Sequence, residues 1–513
     1  MPTAYVCDVE HIPAAFPAYA VRMKLSRALV LGIGTTTSAA VACGSSDLMQ
    51  SSSPGGIPPR VIAVAVTPNP NNVLSALVSF RAEGADSARV MIVGENLPLD
   101  STPYYPVKAG VDTIPVLGLR PSTRYGQVVQ LIGASRSGAS DTVFYATHPL
   151  PALLEHLSIT TTGTGGPGFT LTSVQVGGNT VVAVAFDSAG TIRWYREFPG
   201  VETVSGDLKQ QPNGNFTLYH GLSFGSQHTE GEYIEVNAAG DSVRAITLSP
   251  PRYLDNHELL LTTGADGQER QHFFFYDHRP IDLSFVGVPA TIPLAGHHLV
   301  RLRGDGSTEF EWSAWDHIAP EEWIEPPKPD PINPGEPDYD HPNSLGFDLD
   351  GNYIVSFRHL GQVVKINATT GEMMWRLGGV KNEFTFVNDP LNGFSAQHSA
   401  RILPNGNLLL YDNGTRHDPP ESRAVEYALD TAKKTATLVW QFRHSPIIYT
   451  PYVGLVQRLQ NGNTVIAYAQ AGHVAEVAPD ATLRWEADVK VDGQPAFCYR
   501  LSRIVSLYRY ERP

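Results

Sequence analysis

From residue 59 onward, short apolar runs alternate with polar turns, a pattern of strands and not of a helical bundle. The first runs are Val61–Val66, Ala76–Phe80 and Ala88–Val93. Turn signals separate them at roughly ten-residue spacing, which predicts a small β-sandwich over residues 59–149. Beyond it a longer unit recurs. An apolar strand runs into a tight turn with Asn/Asp-Gly-Asn, two more strands follow, and a strand carrying Trp closes the unit. The turn glycines are Gly214, Gly351, Gly406 and Gly462, the last three lying 55 and 56 residues apart. Asn-Gly supplies the positive φ a tight hairpin needs. The closing tryptophans are Trp194, Trp312, Trp375, Trp440 and Trp485. Such a repeat predicts β-propeller blades, and a repeat length of roughly 55–65 residues makes six of them over residues 150–513. The fold class is therefore all-β: a six-bladed propeller preceded by a sandwich. The tail Tyr499–Ile504 is expected to supply the last strand and close the ring near the sandwich.

Composition narrows the function. Glycine (46) and proline (40) suit a turn-rich chain. Lys plus Arg (37) against Asp plus Glu (51) gives a net charge of −14, which argues against nucleic acid as a partner. Any anionic substrate must be held by a few local cations. Residues 1–42 read as an export signal, with Met23 a second candidate start: Lys24 and Arg27 precede the apolar run Ala28–Gly34. The ending Ala40-Val41-Ala42-Cys43 resembles a bacterial lipoprotein cleavage box, although Ala40 stands where that box usually has Leu. Cys43 is thus a candidate lipidation site, and an N-terminal lipid is the expected membrane contact. Residues 43–58 read as a flexible tether. The expected location is the periplasm, or the outer membrane as an anchored lipoprotein of a bacterium. Of the three cysteines, Cys7, Cys43 and Cys498, a chain begun at Met23 and lipidated at Cys43 leaves no intramolecular disulfide.

Two resemblances follow from particular residues. Leu119-Arg120-Pro121-Ser122-Thr123-Arg124-Tyr125 is similar to the strand corner of fibronectin type III domains, with Phe80 where such domains usually bury Trp. Three segments resemble the bacterial arylsulfotransferase family, which works without PAPS. They are Asp255-Asn256-His257-Glu258, then His341-Pro342-Asn343-Ser344 with Ser356-Phe357-Arg358-His359, and Gln397-His398-Ser399-Ala400-Arg401 with Tyr411-Asp412-Asn413-Gly414. That family's fold, a sandwich ahead of six blades, agrees with the pattern reading. The resemblance implies sulfuryl transfer between small aryl sulfates and phenols, with His398 as the nucleophile and no cofactor.

The spacing can be read physically. Asn343 and His398 each lie eight residues before their turn glycine, so they are expected at equal heights in adjacent blades. His341, two residues before Asn343, is expected on the same side of its strand. His257 is expected to open the first strand of the preceding blade, and Arg358 to end a second strand. The five would converge at one mouth of the channel. Sulfuryl transfer asks for in-line geometry and donors to three oxygens, much as phosphoryl transfer does. A sulfate monoester carries one negative charge, so no metal is expected. A neutral imidazole at His398 can hold the group as sulfohistidine. Arg358 suits the sulfate oxygens, Asn343 can donate to another, and His257 or His341 can exchange the phenolic proton. Arg423, Glu426, Asp412 and Asn413 are expected to be polar glue between blades. His297-His298, without an evident partner in sequence, reads as surface or strand. The proline-rich run from Glu321 to Pro337 is expected to be a loop over the channel mouth, with Trp323 and Tyr339 as ring contacts. The competing function is a non-catalytic envelope propeller that binds a partner or an anionic ligand.

Overall fold

The computed structural model describes residues 58–510 apart from 95–98, 134–135, 179, 201–205, 222–230, 288–290 and 325–336. The expected export signal, Met23, Cys43, most of the expected tether and the middle of the proline-rich run lie outside the described residues. Residues 56–513 cluster as one compact unit. Among the described residues helix is confined to short 3-10 turns, and everything else of regular structure is strand. No helix among them is long and apolar enough to cross a membrane.

Two antiparallel sheets form the N-terminal module. One orders Arg60–Pro68, Ala76–Glu83 and Asp112–Val116. The other is built on Ser87–Gly94 and Arg124–Gly133, with four short strands around them. Period-two alternation puts Ala76, Val78 and Phe80 on the inner face of the first, and Val90, Ile92, Val129 and Leu131 on the inner face of the second. The corner is as expected: Leu119 and Tyr125 are buried, and the Tyr125 hydroxyl accepts the Arg120 N–H at 2.8 Å. The module is seated on the rest of the chain. Arg193 Nε donates to the Gly118 carbonyl at 2.7 Å, Asn72 Nδ2 to that of Tyr195 at 3.0 Å, and Leu117 enters the core around Trp194 and Phe216.

Six further sheets carry a four-stranded antiparallel ladder each. The turn glycines Gly214, Gly351, Gly406 and Gly462 take φ between 81° and 87°, the left-handed region the Asn-Gly-Asn pattern called for. The five tryptophans all fall on the strand farthest from the first in their ladders: Ile192–Pro199, Thr308–Ser313, Met373–Gly378, Thr435–Phe442 and Leu483–Val491. Chain ends meet. Leu501–Ile504 pairs with Phe169–Val176, and Leu157–Gly163 pairs with Leu483–Val491. The tail therefore completes a sheet begun over 300 residues earlier, as expected.

One edge strand of each sheet faces its neighbours' edge strands. Tyr253–Thr263, Pro342–Phe347, His398–Ile402, Leu455–Arg458 and Leu501–Ile504 touch in that order. Lys209–Gln210 joins the two ends: Gln210 Nε2 donates to the Ser506 carbonyl at 3.0 Å, and Asp207 accepts the Leu259 N–H at 2.8 Å. Glu258 sits where these strands meet, fully buried. Its carboxylate accepts from Arg401 Nη2 at 2.8 Å, Arg500 Nη2 at 3.0 Å, the Leu345 N–H at 3.3 Å, and Lys209 Nζ. Burial would raise its pKa, but Arg401, Arg500 and Lys209 outweigh it and hold the carboxyl well below the usual range. Arg500 also bridges to Asp207 and donates to the carbonyls of His257 and Asn343.

Removing one partner of a buried ion pair strands the other's charge, at a cost of about 3–5 kcal/mol. Glu258→Gln is therefore expected to lower stability by that order in denaturant unfolding. Arg60→Ala, which breaks the exposed pair with Glu83, is expected to change it little. Equal effects from both would show that the buried cluster does not hold the sheets together.

Candidate active site

His398 begins the strand His398–Ile402, and its flanks pin it from both sides. Gln397 reaches into the preceding sheet: its Nε2 donates to Ser356 Oγ at 2.9 Å and to the Gln362 carbonyl at 3.0 Å. Ser399 Oγ donates to the Val456 carbonyl of the following sheet at 3.3 Å. Ala396 and Ser399 have φ of 51° and 56°, and the ladder slips register between His398 and Arg401. Left-handed backbone at non-glycine residues is costly and persists only when the surroundings enforce it. Here the two anchors enforce it, and the imidazole between them has one orientation.

Its protonation follows from hydrogen-bond chemistry. Asn413 Nδ2 donates to the carbonyls of Thr450 at 2.7 Å and Val453 at 2.9 Å, which fixes which end of the amide is oxygen. That oxygen lies 2.7 Å from His398 Nδ1, and the Ala396 carbonyl lies 3.1 Å away. Both are acceptors, so Nδ1 carries the hydrogen and Nε2 keeps its lone pair. Burial, then the Arg358 charge, with smaller contributions from His257 and His341, hold the His398 pKa well below that of an ordinary imidazole. The ring is a buried neutral base.

His257 and His341 meet edge to face, ring centroids 4.5 Å apart. His257 lies within Tyr253–Thr263, in the stretch between Leu254 and Leu259 where the ladder loses register, and not at the strand's opening. The bulge frees Asp255, His257 and Glu258 from strict alternation, so His257 and Glu258 can serve different neighbours. His257 Nδ1 donates to Asp255 at 2.9 Å. His341 precedes its strand, at φ 46°, with Pro342 as first strand residue. Alternation therefore does not reach it, which overturns the expectation that it shares a face with Asn343. Its Nδ1 donates to Asp338 at 2.7 Å, and its ring lies 4.5 Å from that of His359. Burial, partly opposed by Asp338, presses its pKa down to about 3.

Arg358 follows the strand Tyr353–Phe357 directly, as expected. Its N–H donates to the His341 carbonyl at 2.9 Å, and its Nη2 to the Pro451 carbonyl at 3.4 Å. Asn343 is fully buried; its Nδ2 donates to the Gln397 carbonyl at 2.7 Å, coupling it to the residue before His398. The structure thus brings His257, His341, Arg358 and His398 within electrostatic reach of one another, with Asn343 one residue removed in the adjacent strand.

Sequence reasoning missed several partners. Asn413 was read as glue, and it instead sets the tautomer of His398. His297 lies in the strand Thr291–Arg303, one of the two expected placements, but it is buried and has carboxylate partners. Its Nδ1 lies 2.7 Å from Asp340 and its Nε2 3.5 Å from Asp255. Burial opposes its charge, but Asp340 and Asp255 raise its pKa well above the usual value. The Asp255 carboxylate is thereby shared by a protonated His297 and by His257. No local signal in the sequence joins Asp255, His297 and Asp340, which come from two strands of one sheet and a loop. Arg423 is buried against Asp412 and Asp389 at 2.9 Å each within its own sheet and that sheet's loop, so it does not join neighbouring sheets as expected, whereas Glu426 does reach Arg458 of the next sheet at 2.7 Å. Tyr339 is a core residue whose hydroxyl donates to the Ile318 carbonyl at 3.2 Å, so it is no surface for a substrate ring. Trp323 is buried beside His359, ring centroids 6.1 Å apart.

Residues 156–500 match the arylsulfotransferase (ASST) family model. The chain belongs to the arylsulfotransferase family. Membership carries aryl sulfotransferase activity on small aryl substrates as its general function. No curated protein matches the chain. Among solved structures it is similar to a protein of unknown function from Bacteroides caccae, at 13% identity and TM-score 0.39, over 66% of this chain and 98% of that one. It is also similar to virginiamycin B lyase from Staphylococcus aureus, at 10% identity and TM-score 0.32, over 65% and 99%. Apo AztD from Citrobacter koseri matches at 10% and 0.30, over 81% and 98%.

In this arylsulfotransferase the His398 ring is expected to stay neutral, with hydrogen on Nδ1, through pH 6.5 and below. Imidazole nitrogen shifts measured against pH test this directly. A His398 pKa at or above the ordinary value would contradict the environment described. Asn413→Leu, which removes the nearer of the two acceptors and leaves the Ala396 carbonyl, is expected to weaken the preference for hydrogen on Nδ1.

Proposed function

We propose that the six sheets are the blades of a β-propeller behind a fibronectin III-like sandwich, and that the protein is a PAPS-independent sulfotransferase working by a ping-pong mechanism through sulfohistidine at His398. We read it as exported, in the periplasm or held at the outer membrane by lipid on Cys43. The observation that carries the catalytic reading is the Asn413 amide, locked by two carbonyls, which leaves His398 with a bare Nε2 in a cationic surrounding.

In the first half-reaction His398 Nε2 attacks the sulfur of an aryl sulfate. The S–N bond forms as the S–O bond to the ring breaks, and the phenolate oxygen takes a proton from His257, since burial keeps His341 neutral. Arg358 balances the sulfuryl oxygens with a fixed charge, and the second hydrogen of Asn343 Nδ2, the first being held by Gln397, serves another. In the second half-reaction a phenol oxygen attacks the same sulfur, its proton goes back to His257, and the S–N electrons return to Nε2. The shared Asp255 supports this exchange, since it steadies His257 in either state.

Purified protein with 4-nitrophenyl sulfate and phenol is expected to release nitrophenol, and His398→Ala to lose release by at least three orders of magnitude. A labile SO3 adduct on the peptide bearing His398 is the expected intermediate. Equal release by both proteins would remove the proposal. Arg358→Ala takes away a charge that lowers the His398 pKa. Its residual activity is therefore expected to fall off at higher pH than wild type on the acid side. An unmoved limb would show that Arg358 does not act on His398.

A further inference from the structure

A second cluster, sharing no residue with the first, lies where the sheet ending in Thr435–Phe442 meets the next one. His444 comes just after that strand. His473 opens His473–Val477, and Glu486 and Asp488 lie on Leu483–Val491. His473 stands directly opposite Asp488 across the ladder, and Glu486 is two residues along, so all three point to one face.

The hydrogen bonds outside the cluster decide what its inner atoms are. His444 Nδ1 lies 2.7 Å from the Pro446 carbonyl, which can only accept. His473 Nδ1 lies 2.8 Å from the Asp488 carboxylate, which also accepts. Each ring therefore carries hydrogen on Nδ1 and turns Nε2 inward, towards Glu486. His444 Nε2 lies 2.5 Å from Glu486 Oε1. His473 Nε2 lies 3.2 Å from the same oxygen, is buried, and makes no hydrogen bond. Two imidazole nitrogens and a carboxylate oxygen thus converge, with all three ligand atoms within 4.8 Å of one another, and a bound metal ion would displace the proton held between His444 Nε2 and Glu486. Tetrahedral metal–ligand bonds of about 2.0–2.2 Å put ligand atoms about 3.4 Å apart, between the shortest and the longest of these separations. A histidine whose outer nitrogen is held by a carboxylate or a carbonyl is the usual support of a metal ligand. Asp488 is half exposed and leaves a way in from solvent.

We propose that His444, His473 and Glu486 bind one divalent transition-metal ion, Zn²⁺ being the ion that two imidazoles and a carboxylate suit best, with water at the fourth position. Asp488 and the Pro446 carbonyl orient the rings. Because His444 lies on the segment leaving one sheet and the other ligands on the next sheet, the ion ties that connection to the next sheet and acts on stability.

The test uses the full chain, stripped with chelator and titrated with Zn²⁺ by calorimetry and with Co²⁺ by visible absorption. Expected are one equivalent bound, Co²⁺ bands of a four-coordinate site, and a Zn²⁺-dependent rise in Tm. His473→Gln and Glu486→Gln should each weaken binding more than 100-fold and abolish the rise in Tm. Asp488→Asn keeps all three ligands and should cost about 10–100-fold, which keeps the proposal testable if a ligand variant fails to fold. Asp338, His341 and His359 form the other such grouping among the described residues. Asp338→Asn should therefore leave the tight equivalent unchanged. No saturable binding by wild type, or loss in Asp338→Asn with retention in His473→Gln, would overturn the proposal.

Discussion

Glu258 is a carboxylate with no access to water, and it takes hydrogen bonds from a lysine, two arginines and a backbone amide contributed by four other sheets. A buried charge is tolerable only with its partners in place, so these sheets cannot slide past one another without stranding it. Hydrophobic packing between sheets is far less particular about register. The apolar cores therefore supply the bulk of the stability, and the ion cluster sets the alignment. Arg500 makes the point most clearly. It comes from the C-terminal end of the chain, and it closes on Glu258, Asp207 and two carbonyls only when the last strand has paired with Phe169–Val176.

The alignment matters because the candidate groups come from separate sheets. His257, His341 and His398 sit on three successive edge strands or their entries, and each ring is held by an acceptor at Nδ1: Asp255, Asp338 and Asn413 respectively. The acceptors differ in kind. In the proposed mechanism the Asp255 carboxylate steadies a His257 ring that gains and loses a proton. A neutral amide oxygen fixes the tautomer of His398, and burial and Arg358 outweigh the rise in pKa that its hydrogen bond brings. The same side chain thereby acquires different chemistry from its second partner.

Much of this was legible in the residue order. Asn-Gly-Asn turns, closing tryptophans and a spacing of 55 to 56 residues are local signals, and the strands, turns and sheets follow them closely. The corner around the buried Leu119 and Tyr125 was legible for the same reason. The failures share a cause. His341 lies at positive φ before a proline, and the segment from Asp255 to Glu258 bulges out of its ladder, so period-two counting fails at both. The irregularities fall at the residues of the candidate site, where the backbone departs from the pattern to bring side chains of different strands to one place.

Sequence alone determined the class of fold, the repeat, the family and the identity of the candidate groups, because turn chemistry, alternation and short motifs are properties of neighbours along a chain. Tertiary structure decided which nitrogen of His398 is bare, that His297 is a buried cation between two carboxylates, and that Asn413 is an orienting group. It also decided that His444, His473 and Glu486 converge. Each of these depends on an atom delivered from a distant strand, and hydrogen-bond geometry across sheets leaves no trace in local spacing.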